Sequence, residues 1–513
     1  MGGWFANGGG GGGRLLTRPP WSEAPSPLGR LPFCPGKLAG PCSPLASPGV
    51  TPECRAALQE LSDTTAHDAH VASISWGVIV DGQLAEHGHT GELHDALPAD
   101  ETAVYRIASM TKSFTAAIVL RLRDEGVWQL DDPIARHAPE LVTVVGPAGS
   151  APITIRQLLS MTSGLATDDA WADRHLDMTA EEIDVIYAAG PTFAHAPNTA
   201  YEYSNLGFGM LGRAVLRATG TRVQDHITEH LLQPLGMNAT TWVRPDHDNW
   251  ARPHRWQDDQ LVRDWPTPIG DGEIAPMGGL WTTVADLSKW VAWFDDDNAD
   301  IGLSIASRRE MQRIHTFIGE STVAGRTCPG GYGFGVNLRI DPGLGTIVSH
   351  AGGLPGYGSS MRWLAGKRLG VIALGNSTYA HMSTLTMKML AALLDDGAVP
   401  TIATPVSPQL SAAADGLVAL LNDWSDDAAH ALFADNVVLD EPFSRQRAAA
   451  ERLLDQHGLL RVVEIRPESA TSGNVVVQGN DPSFTIGIEL SPVAGGAIQF
   501  YEVDEPAPEK ASS

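Results

Sequence analysis

Short apolar stretches broken by Asp81-Gly82 mark "HVASISWGVIVDGQLAEHG" (70–88). They read as two strands joined by a turn at Asp81-Gly82. The pattern then changes. "SFTAAIVLRLRDEG" (113–126) reads as an apolar helix that stops at Gly126. Residues 127–330 stay mostly helical in pattern, broken by Pro and Gly, with "ITIRQLLSMTSG" and "VQDHITEHLLQPLGM" as two of the helices. Strand character returns over 331–376, in "YGFGVNLRI", "TIVSH" and "SSMRWLAGKRLGVIALGN", where Ala365-Gly366-Lys367 would close an antiparallel pair. Strands at both ends of a helical middle predict an α/β domain: an antiparallel sheet built from both ends, with a helical inserted subdomain, rather than an alternating doubly wound fold.

Residues 1–54 are largely Gly-, Pro- and Ser-rich and are expected to be a disordered N-terminal segment. The main domain is expected over 55–395, followed by a linker over 396–408, "DGAVPTIATPVSP". Two helical stretches (409–434 and 444–457) and four short strand-like runs then predict a small α+β domain over 409–503, its curved sheet wrapping a helix. Residues 504–513 read as a tail.

Composition narrows the partners. Lys+Arg number 35 against 60 Asp+Glu, and the net charge of −25 argues against nucleic acid and anionic membrane surfaces, which want basic patches. No run of 18 apolar residues predicts a membrane span. The first twenty residues lack the apolar core of a signal peptide, so a cytoplasmic location is expected. Cys34, Cys42, Cys54 and Cys328 form no CxxC pair and are expected to be free thiols.

The chemistry begins with "YRIASMTKSF" (105–114). Lysine is scarce here, confined to Lys37, Lys112, Lys289, Lys367, Lys388 and Lys510, yet Lys112 follows Ser109 by three positions. On a helix that spacing puts both side chains on one face. Serine is a poor nucleophile until a base takes its proton. A lysine serves as that base only if burial or neighbouring positive charge lowers its pKa. Taken alone, the pair reads more readily as an N-cap serine and a solvated lysine. Two further stretches change this: Tyr203-Ser204-Asn205 in "AYEYSNLGFG", and His350-Ala351-Gly352-Gly353 in "VSHAGGLPGYGSS" at the end of a predicted strand. A tyrosine can shuttle a proton to a leaving group, and an asparagine can bond a substrate amide. Two glycines let a substrate approach the backbone, whose N–H can face an oxyanion.

Ser-x-x-Lys, Tyr-x-Asn and His-x-Gly in this order resemble the serine β-lactamase and penicillin-recognising hydrolase superfamily. The branch it most resembles is the class C β-lactamase-related one, with its DD-peptidases, D-aminopeptidases and esterases. "ITIRQLLSMTSGL", "YSNLGFGMLG", "LLQPLGM" and "GGLWTTVADLSKWV" look like that branch too, and the resemblance covers about residues 56–395. It implies Ser109 as nucleophile, Lys112 as its base and Tyr203 as acid/base for the leaving group and water. Asn205 would orient the substrate, and His350 would take the place of the lysine in the Lys-Thr-Gly box. The backbone N–H groups of Ser109 and Gly353 would form the oxyanion hole, with Gly352 beside them. The implied reaction is acyl transfer to Ser109 and hydrolysis of an ester or amide, D-amino-acid peptides included, with no metal or other cofactor. β-Lactamases carry lysine where this chain has His350, whereas related esterases often carry tryptophan and some peptidases histidine. That favours a peptidase or esterase over a β-lactamase. The small domain is expected to cover the site, bind a ligand or mediate a homodimer.

Three rivals stay open: a β-lactamase, a ligand sensor that acylates without turnover, and a zinc hydrolase using His226 and His230 of "HITEH". The Gly207–Gly212 glycines fit helix packing better than a dinucleotide loop, and Ser163-Gly164 fits a turn. His87, His89 and His94 read as solvated or hydrogen-bonded, and Trp281 and Trp363 as core.

Overall fold

Two positive φ angles in succession, 51° at Asp81 and 75° at Gly82, fold the first hairpin of the chain. Such a pair makes a turn whose twist matches that of the flanking strands. The computed structural model describes residues 50–504, apart from 95–96, 265–269, 297–300, 324–325, 398–404, 481–482 and 494. Residues 1–49, most of the expected linker and the tail beyond residue 504 lie outside the described residues, as do Cys34 and Cys42. The expected N-terminal segment ends earlier than residue 54. A helix already runs over Pro52–Asp68, because the Thr51 side chain accepts from the Cys54 N–H and Pro52 suits the first turn.

Among the described residues, nine antiparallel strands make the main sheet. Their order is Leu97–Pro98, Gln83–His94, Ser73–Val80, Leu369–Gly375, Tyr357–Leu364, Gly345–Leu354, Asn337–Asp341, Arg326–Tyr332 and Thr316–Val323. The two ends of the domain meet at its middle, in register from Ile74↔Gly375 to Ile79↔Gly370. Both faces of this centre are covered. Val371 and Ala373 pack with Leu58, Leu385 and Met389 from the helices Pro52–Asp68 and Met382–Asp395. Ile372 and Leu374 point into the larger core, with Trp290 and Phe114. A strand buried on both faces has no polar alternation to show, hence the unbroken apolar runs.

The helical pattern expected as far as residue 330 ends sooner, because Thr316–Val323 and Arg326–Tyr332 form a hairpin at the sheet edge. Phe317 and Ile318 are exposed on it, and its pairing depends on backbone at Gly319, Gly330 and Gly331. Only Ile155–Leu159 of "ITIRQLLSMTSG" is α-helical; φ values of 59° at Met161 and 79° at Gly164 then turn the chain. In the helix Asn205–Thr219 a Cβ on Gly212 would lie 2.6 Å from Pro276, so the glycine allows that close contact.

Residues 405–504 have their own core. A four-stranded meander, Arg461–Pro467, Ser472–Gln478, Phe484–Leu490 and Ile498–Asp504, turns Phe484, Ile486 and Ile488 inward. They pack with Leu410, Leu417 and Leu421 of the helix Pro408–Asn422. Among the described residues no helix is long and apolar enough to cross a membrane.

Candidate active site

Ser109 lies in the short 3-10 turn Ala108–Met110 that leads into the helix Thr111–Asp124. The turn is strained. Ala108 has φ 48°, a left-handed conformation costly for any residue with a Cβ and frequent at functional sites. Two hydrogen bonds hold it in place: Ser359 Oγ donates to Ile107 O at 2.8 Å, and Ile107 N–H donates to Leu280 O at 3.1 Å.

One turn on, Lys112 is fully buried. Its Nζ lies 3.0 Å from Ser109 Oγ, 2.6 Å from Asn205 Oδ1 and 3.0 Å from Met277 O. Burial lowers its pKa from 10.5 to about 7, against the opposing pull of Asp169, Asp168 and Asp173. At neutral pH a large share of Lys112 is therefore an uncharged amine. A neutral amine has two N–H donors and one lone pair. Asn205 Oδ1 and the Met277 carbonyl can only accept from it, so they take both N–H groups. The lone pair is left facing the Ser109 hydroxyl.

The Tyr203 phenol lines the same cleft as Ser109, and Lys112 Nζ sits 4.8 Å from its ring centroid. Burial holds the phenol pKa well above its ordinary value, so Tyr203 is neutral and able to donate a proton. Sequence analysis gave Asn205 to the substrate. In the structure both ends of its amide are taken: Oδ1 by Lys112, and Nδ2 by Asp168 Oδ1 at 3.1 Å and Asp169 Oδ1 at 2.7 Å. Asp168 also accepts from the Asn205 and Leu206 N–H groups at 2.7 and 2.8 Å, while Ser204 Oγ accepts from Gly207. Together they satisfy the first N–H groups of the helix Asn205–Thr219, which fixes Asn205 in position.

His350 is 2% exposed on the strand Gly345–Leu354. Its Nδ1 is 2.7 Å from Ala351 O, which only accepts, so Nδ1 carries the hydrogen. Nε2 is then an acceptor, 3.2 Å from the Tyr332 hydroxyl. Burial, with some contribution from Lys112, lowers its pKa to about 3. His350 is neutral and both its nitrogens are occupied. A Cβ on Gly352 would lie 2.2 Å from Ile107 O, and one on Gly353 would lie 2.8 Å from the Tyr379 ring. Only glycine lets the strand edge come this close to the serine turn.

Ser109, Tyr203, His350, Gly352 and Gly353 line one cleft of about 380 Å³, together with Asp169, Asp173 and Tyr379. Asn205 stands behind its wall with Lys112. Sequence reasoning missed Met277, Tyr332, Tyr379 and the aspartates. The last had a signal, three acids within "TDDAWAD" (167–173). Elsewhere, His226 Nε2 lies 3.0 Å from Thr219 Oγ1 and its ring 5.5 Å from that of His230. Among the described residues no three His, Cys, Asp or Glu side chains gather as metal ligands. Trp281 and Trp363 lie in the core, and Cys54 and Cys328 are free and buried.

Comparison with known proteins yields one family model, described as Beta-lactamase, that matches residues 55–396. The chain is 25% identical over 356 residues to Protein flp of Staphylococcus aureus (strain MW2), an overlap of 67% of this chain and 68% of that one. Its fold is similar to that of the octameric penicillin-binding protein homologue from Pyrococcus abyssi, with TM-score 0.58 and 21% identity over 86% of this chain and 91% of that one. It is also similar to EstCE1, a hydrolase with promiscuous acyltransferase activity, with TM-score 0.56 and 18% identity over 66% and 98% of the two chains.

Proposed function

The chain belongs to the beta-lactamase family, and from that premise we propose that it is a metal-independent serine hydrolase of esters or amides. The carrying observation is the aim of the Lys112 lone pair at Ser109, fixed by Asn205 Oδ1 at 2.6 Å and Met277 O at 3.0 Å. Ser109 Oγ attacks the substrate carbonyl as its proton passes to Lys112 Nζ. The oxyanion formed faces the backbone N–H groups of Ser109 and Gly353. Lys112 and the Tyr203 hydroxyl return the proton to the departing amine or alkoxide, which leaves the acyl group on Ser109. Water then attacks this ester, gives its proton to the same pair, and the carboxylic acid and free Ser109 are released.

In this reading Asn205 and Met277 position Lys112, and Gly352 and Gly353 open the strand edge to substrate. His350 packs against Tyr332 and has no free charge to offer a carboxylate, which supports a peptidase or esterase over a β-lactamase. The catalytic domain is placed at 55–395 and the accessory domain at 409–503. The test is intact-protein mass after brief exposure to an activated ester. An acyl increment in the wild type, absent from Ser109→Ala and decaying as free acid is released, is the expected result. An equal increment in both proteins would remove Ser109 as nucleophile. An increment that never decays would make the protein a sensor.

A further inference from the structure

We propose that the cleft selects acyl donors carrying a protonated amine, which the carboxylate of Asp173 binds; this rests on the serine-hydrolase reading above and narrows its substrate class. Asp173 lines the cleft with Ser109 and yet is only 3% exposed. Its Oδ2 accepts from the Tyr379 hydroxyl at 3.0 Å. Among the described residues no other side chain hydrogen-bonds to this carboxylate. A buried carboxylate without a bonded cation is costly, and a substrate ammonium in the cleft would relieve that cost.

The surrounding charges point the same way. Asp169 lines the cleft too, whereas among the described residues no lysine or arginine does. Arg174, exposed and outside the cleft lining, is within electrostatic range of Asp173 but donates from Nη1 to Ala170 O at 2.8 Å and to Tyr379 OH at 3.3 Å, not to the carboxylate. Lys112 is held by Asn205 and Met277. Arg106 is within electrostatic range of Asp173, but lies buried over the Trp281 ring and is not bonded to it. These cations do not offset burial, which raises the Asp173 carboxyl from 3.8 to about 6. His350 is neutral and His381 is the one other histidine lining the cleft, so a carboxylate on the acyl group would meet two aspartates and, among the described residues, no lysine or arginine.

Tyr379 sets the distance. Its ring packs on the Gly353 backbone, and its hydroxyl bonds Asp173. The carboxylate is thus held one tyrosine ring from the strand edge where the carbonyl would lie.

The experiment compares kcat/KM for the p-nitroanilides of D- and L-alanine with their N-acetyl and N-succinyl counterparts. The free amine is expected to be preferred over N-acetyl by about tenfold or more, and N-succinyl to be the poorest, as expected for charge-assisted recognition. Asp173→Asn should collapse the free-amine to N-acetyl ratio in whichever enantiomer is favoured. p-Nitrophenyl butyrate, which carries no charge, reads the serine chemistry separately. Turnover of it alone, or with no preference for the free amine, would overturn amine selection and leave the serine reading intact. No turnover of any substrate, and no adduct on Ser109, would overturn both.

Discussion

Asn205 Oδ1 lies 2.6 Å from Lys112 Nζ, nearer than the serine at 3.0 Å. The asparagine is therefore the lysine's tightest partner, and it constrains both the direction and the charge of the amine. Asn205→Asp would put a carboxylate at that position and favour the ammonium. The rate of serine acylation is expected to rise with pH through about 7 in the wild type, as Lys112 becomes neutral. In Asn205→Asp the same limb should move to higher pH. A pH profile of single-turnover acylation checks this, and an unmoved limb would remove Lys112 as the base.

Tyr203 acts on the leaving group. An anilide or alkyl amide needs a proton to depart, whereas p-nitrophenolate does not. Tyr203→Phe should lower kcat/KM by about 10²–10⁴ on an amide and by much less on a p-nitrophenyl ester. Equal losses on the two would assign Tyr203 to packing.

Buried Lys112 ties stability to pH. Its pKa is lowered from 10.5 to about 7 on folding, so between these values the unfolded chain holds the extra proton. Stability from this group must then rise with pH, by roughly 1 kcal/mol per pH unit above pH 7. Urea titrations of wild type and Lys112→Met at pH 7, 8 and 9 isolate the effect. The wild type should gain on the variant at each step, and parallel curves would mean the amine is not perturbed.

Gly352 leaves no room for a methyl group. A Cβ there would fall 2.2 Å from Ile107 O and 2.9 Å from Ala108 Cβ. Gly352→Ala must push the strand edge off the strained serine turn, at a cost of about 1–3 kcal/mol. Acylation should fall more steeply than the melting temperature would suggest, since the displaced strand edge is the one that faces Ser109 across the cleft. Thermal melts alongside acylation rates decide this.

The sequence showed what local periodicity and spacing can show. Ser109 and Lys112 were readable as a pair because helical geometry turns a spacing of three into contact. The closure of the sheet followed from strand patterns at either end. The edge hairpin Thr316–Tyr332 was hidden, because its exposed Phe317 and Ile318 and its glycines give no period of two. Met277 contributes a backbone carbonyl, which carries no residue signature. Tyr332 meets His350 across the intervening strand Asn337–Asp341, a relation visible only once strand order is known. Asn205 was readable as a site residue, but its role depended on Asp168 and Asp169, brought to it by tertiary packing.

The pairing of Ser73–Val80 with Leu369–Gly375 also governs when the fold can exist. Ser73 N–H and Asn376 Oδ1, bonded at 2.6 Å, are 303 positions apart. On a ribosome the first hairpin emerges early and must wait with an unsatisfied inner edge while the helical middle is made. Such long-range closure is slow and leaves the waiting edge open to other chains. The catalytic cleft inherits that schedule: Ser109 is synthesised early, but the strand that faces it arrives hundreds of residues later, so the nucleophile stays unassembled through most of the chain's synthesis.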